Sequence, residues 1–176
     1  MIMRAGQALL LPANPVFIWG TLMGVLMFEM ALQMALLGRA AWAPDLLALT
    51  LVFWTVHQPR RIGVGVAFGL GLLIDVHQGA LLGQHALAYS VMCYLAVLIH
   101  RRLLWFDWLR QTAHVLLLFV LAHALQWLVR ALAGDGGPDL GMVLAPLWQA
   151  ALWPLATALL LAPQRRAHDR DDDRPL

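Results

Sequence analysis

Lysine is absent from this sequence, and cysteine nearly so. All twelve basic residues of the 176-residue chain are arginine, which we read as codon bias and not as chemistry. The one cysteine, Cys93, excludes an internal disulfide and a thiolate metal cluster, and is expected to be a small packing residue. Charge is scarce as well: 12% of residues are charged and 61% apolar, against about 25% and about half in soluble domains. The net charge of +2 comes with no basic stripe carrying interleaved aromatics, so nucleic acid is not an expected partner. Ser–His–Asp, nucleophilic-cysteine and phosphate-loop arrangements are all missing. His114 and His123 lie near opposite faces of one helix with no carboxylate at helical spacing, so neither metal nor cofactor is expected.

What the chain does have is long apolar runs, the pattern of a protein that meets lipid. Six spans are predicted, at about 16–37, 43–57, 62–75, 80–99, 112–132 and 142–162. The fold class is therefore all-α, a polytopic membrane bundle forming one transmembrane domain over 1–163, with a disordered tail at 164–176 that mixes Arg and Asp. The first run is longer than the roughly 7–15 residues of a signal-peptide core, so it is expected to stay in the membrane. Spans two and three are short: 14–15 residues reach about 21–23 Å, against a hydrocarbon core of about 30 Å. They read as true spans that thin the bilayer or pack inside the bundle. The alternative is a re-entrant hairpin with Arg60 and Arg61 at its tip, which would bury two guanidinium groups at a cost. Ten of the twelve arginines fall on one side of the alternating spans, which places both termini in the cytoplasm.

A few polar residues stand inside or at the ends of these spans. Glu29 is the only glutamate; with Gln33 it shares one face of span one, and at roughly 20 Å depth it could meet His123 of span five. A carboxylate there marks either function or a hydrogen-bonded packing role. Asp45, beside Pro44, suits the first turn of a helix, where the dipole favours negative charge. Asp75 closes span three, where the dipole disfavours it, and His77, Gln84, His85 or an external arginine should compensate. Two aspartates at one boundary also raise an intramembrane aspartyl peptidase. Gly65, Gly69 and Gly71 form a small-residue face for close helix contact, which Gly79 and Gly83 would extend. From His100 to Gln111, Arg101 and Arg102 join Trp105 and Trp108 in an interfacial belt suited to anionic headgroups, as Arg60 and Arg61 do in their loop.

From Pro44 to Arg102 the sequence resembles MreD, the multispanning rod-shape-determining protein of bacteria. The resemblance lies in PDLLALTLVFW (44–54), Pro59, GVGVAFGLGLLID (63–75) and GALLGQHALAYSVMCYL (79–95). It implies a non-enzymatic component of the cell-elongation machinery in the inner membrane, working with MreC and through it with MreB, RodA and a penicillin-binding transpeptidase. The family also looks similar to the substrate-binding subunits of energy-coupling-factor vitamin transporters, which keeps a vitamin-binding transporter subunit as the alternative function. Asp45, Asp75, Gln84, His85 and the glycine face lie within the matching block, and are the positions expected to contact a partner or ligand.

Overall fold

The protein is described by a computed structural model covering residues 14–37, 43–134 and 140–165. These residues are helical, with no strand among them. Helix α1, Pro15–Leu32, opens on Asn14, whose side chain accepts from Val16 N at 3.0 Å; one π turn, Gln33–Leu37, prolongs it. The others are α2 Leu46–His57, α3 Val64–Gln78, α4 Gln84–Leu103, α5 Trp108–Leu132, α6 Leu140–Ala151 and α7 Trp153–Arg165. Among the described residues four stretches are long and apolar enough to cross a membrane: Pro15–Ala35, Gln84–Leu103, Trp108–Leu132 and Val143–Gln164. Helices α2 and α3 are shorter apolar helices.

The shortness of α2 has a packing reason. Every residue from Leu47 to Val56 is buried, so the helix meets protein on all sides, which is what apolarity around a whole helix signifies. Its 12 residues rise only about 18 Å, a length set by the surrounding bundle. Helix α1 packs on α2, α2 on α4, and α4 on both α3 and α5; α6 packs on α5, and α6 and α7 close the bundle against α2. Phe53, Trp54, Tyr89, Phe119 and Trp153 fill the centre, and Trp54 Nε1 donates to Thr21 Oγ1 at 2.9 Å. Helices α2 and α3 both pack chiefly on α4.

Several boundaries differ from those read in the sequence. Helix α3 continues to Gln78, so Asp75 lies in its last turn and not at its end. Ala80 N–H then donates to Asp75 C=O at 3.0 Å, and Gly79 takes φ 57°, the left-handed closure that glycine favours. Gly83 has φ 97°; this pair makes a turn, and does not extend the helix-contact face into α4. The last span is two helices broken at Leu152, because Pro154 has no N–H to give Ala150 C=O. Helix α5 starts at Trp108, placing Trp108 and Arg110 on a helix instead of in a loop. Helix α7 runs past 163 to Arg165; the rest of the tail, 166–176, lies outside the described residues, as do Arg4 and Arg39.

Candidate functional site

Two helix starts, those of α2 and α4, are the polar centres of the bundle. A helix begins with N–H groups that have no partner within the helix, and in an apolar interior each needs an acceptor. At α2, Asp45 is the N-cap and its Oδ1 accepts from Ala48 N at 2.7 Å. The neighbouring Leu47 N–H donates to Glu29 Oε2 at 2.9 Å, so α1 supplies a second carboxylate to the same helix start. Tyr89 OH donates to Asp45 Oδ2 at 2.5 Å, and Gln149 Nε2 to Asp45 C=O at 2.7 Å.

Helix α4 starts without a cap of its own, since Gly83 has no side chain to offer. Asp75 supplies it from α3. Its Oδ2 accepts from Gly83 N at 2.8 Å, and its Oδ1 from both His85 N at 2.8 Å and His85 Nδ1 at 2.7 Å. A carboxylate only accepts, so the ring nitrogen facing it is Nδ1–H. The compensation that Asp75 demands is therefore the positive end of the next helix together with His85. The His85 ring lies edge-on to Tyr89 at 5.8 Å, and Tyr89 reaches Asp45, so the two helix starts are joined through α4. On its far side Gln84 accepts from Arg130 Nε at 3.3 Å.

The structure thus gathers Glu29, Asp45, Asp75, Gln84 and His85 at one end of the bundle. Other expected contacts are not made. His123 Nδ1 pairs with Phe119 C=O at 2.9 Å, so it does not meet Glu29. No hydrogen bond joins Asp45 to Asp75; their oxygens accept instead from Ala48, Tyr89, Gly83 and His85, so the directly paired carboxylates of an aspartyl peptidase are not formed. Among the described residues no group of three His, Cys, Asp or Glu side chains could hold a metal ion.

The glycines divide. A Cβ on Gly71 would stand 2.4 Å from Ala86 Cα, so Gly71 belongs to the internal α3–α4 contact. Gly65 and Gly69 have nothing within 4 Å and face outward with Phe68, Leu73 and Val76. At the opposite end of the bundle Arg60, Arg61, Arg101, Arg102, Trp105 and Trp108 are all exposed, the side chain of Trp105 at 90%. Sequence reasoning missed Tyr89, although it stands four residues after His85 on one helical face. It also missed Gln149, although a lone amide in an apolar run carries the same signal as Glu29.

A family model described as rod shape-determining protein MreD matches residues 13–162. The rod shape-determining protein MreD of Haemophilus influenzae is 29% identical over 154 residues, covering 84% of this chain and 93% of that protein. No solved structure matches the chain.

Proposed function

The chain belongs to the MreD family of rod shape-determining proteins, and from that premise we propose that it is a non-enzymatic part of the bacterial cell-elongation machinery that binds MreC through the open face of α3. It sits in the inner membrane as six crossings with both termini in the cytoplasm, an orientation supported by the arginine asymmetry. MreC links it to MreB, RodA and a penicillin-binding transpeptidase, coupling the cytoskeleton to peptidoglycan synthesis. The observation that supports the docking face is the one-sidedness of α3. One flank is committed to α4 through Ala67, Gly71 and Asp75, while the other presents Gly65 and Gly69 with open space above them. Small residues on an exposed flank allow a partner's transmembrane helix to approach closely, and van der Waals packing then replaces lipid contact.

The test is co-purification. Gly69→Leu fills the open space without touching α4, so it should insert and accumulate like the native protein yet lose MreC. Full recovery of MreC with this variant at native expression would remove the face from consideration.

A further inference from the structure

The end of the bundle where α4 starts and α5 ends holds a set of hydrogen-bond donors that lack acceptors. Arg130, half-buried near the end of α5, donates through Nε to Gln84 Oε1 at 3.3 Å. That bond fixes the Gln84 amide, because a guanidinium has no acceptor and so must face the oxygen. Gln84 Nε2 is left as a donor, and among the described residues it has no acceptor although Gln84 is only 1% exposed. One turn earlier on the same side of α5, the buried indole N–H of Trp127 has none either. Among the described residues the remaining guanidinium N–H groups of Arg130 meet no carboxylate. Asp75 does not serve, since its oxygens are taken up by Gly83 and His85.

All the missing groups are acceptors, and the positive end of α4 lies beside them. We propose that Arg130, Gln84 and Trp127 bind the phosphate of a membrane-lipid headgroup at this end of the bundle. A phosphate oxygen accepts without donating, and guanidinium matches it with two parallel bonds. A lipid fits the site better than a free phosphate because apolar side chains flank it. Leu87, one turn along α4 from Gln84, and Val120, two turns before Trp127 on the same side of α5, are exposed to carry acyl chains. The half-exposed guanidinium meets the headgroup first, and its movement admits the phosphate to the two closed donors. The site also gives this arginine a local partner at the end of the bundle that has few arginines.

The experiment is native mass spectrometry of the full chain, purified in detergent, stripped of lipid and then offered phosphatidylglycerol, diacylglycerol with the same acyl chains, or inorganic phosphate. Phosphatidylglycerol should be retained and diacylglycerol lost. Arg130→Gln should weaken the tightest-held lipid by about tenfold or more. Arg130→Lys, which keeps the charge but loses the fork, and Trp127→Phe, which keeps the ring but loses the N–H, should each weaken it several-fold in folded protein. Equal retention of diacylglycerol, inorganic phosphate held as tightly as the lipid, or unchanged retention in both Arg130→Lys and Trp127→Phe would overturn the site. So would retention that appears only in an Asp135→Asn, Asp139→Asn double variant, because the arginine's partner would then be the segment that follows α5.

Discussion

Replacing Asp75 by alanine removes the acceptor for three short hydrogen bonds at once and leaves Gly83 N–H, His85 N–H and His85 Nδ1–H without partners. Hydrogen bonds to a charged group contribute about 1.5–3 kcal/mol each in soluble proteins, but measured couplings inside membranes average about 0.6 kcal/mol and reach about 1.7. Three bonds on the membrane scale, with a helix cap of about 1 kcal/mol included, give a loss of roughly 3 kcal/mol for Asp75→Ala. For a chain of this size about 1 kcal/mol shifts a melting temperature by roughly 2–4 °C, so purified Asp75→Ala should melt about 6–12 °C lower in detergent. Asp75→Asn keeps one acceptor and should lose about half as much. His85→Ala removes only the ring bond of the three, together with the edge contact to Tyr89, and should cost about 1–2 kcal/mol. The double variant should then cost about 1 kcal/mol less than the two singles summed, because both remove the same ring contact. An Asp75→Ala protein that melts within about 2 °C of the native chain, or strict additivity in the cycle, would refute the capping argument.

Two further outcomes follow from the geometry. Gly71→Ala places its Cβ 2.4–2.8 Å from backbone atoms of His85 and Ala86, which no rotamer change relieves, so α3 and α4 must separate; a loss of about 1–3 kcal/mol in thermal melting is expected, while Gly65→Ala and Gly69→Ala should be neutral or slightly stabilising. A phosphatase reporter inserted after Gly79 should be active and one inserted after Arg60 inactive; the reverse pattern would overturn the orientation and carry the α3 docking face to the other side of the membrane.

The long spans were legible because an apolar run of about 20 residues has few other readings. The polar residues were legible as exceptions: Glu29, Asp45, Asp75, Gln84 and His85 stood out against apolar neighbours, and the fold brings them together. Their task was legible only in part, in the local cap of Asp45 and in His85 as one of the partners open to Asp75. Glu29 and Asp75 each cap a helix other than their own, and that depends on which helices lie side by side. The glycines show the same limit. Gly65, Gly69 and Gly71 are alike in sequence, yet only Gly71 is pressed against a neighbour. The break at Leu152 was within reach, since Pro154 is visible in the sequence and forbids a continuous ladder.

The direction of the two cross-helix caps along the chain bears on how the protein is made. In both, the acceptor comes earlier in the sequence than the N–H groups it receives: Glu29 precedes Leu47, and Asp75 precedes Gly83 and His85. A polypeptide handed to the bilayer from its N-terminus therefore already holds the carboxylate when each new helix start arrives. The first two helices and the next two can each complete their own polar closure as pairs, before the seam between α2 and α4 is formed.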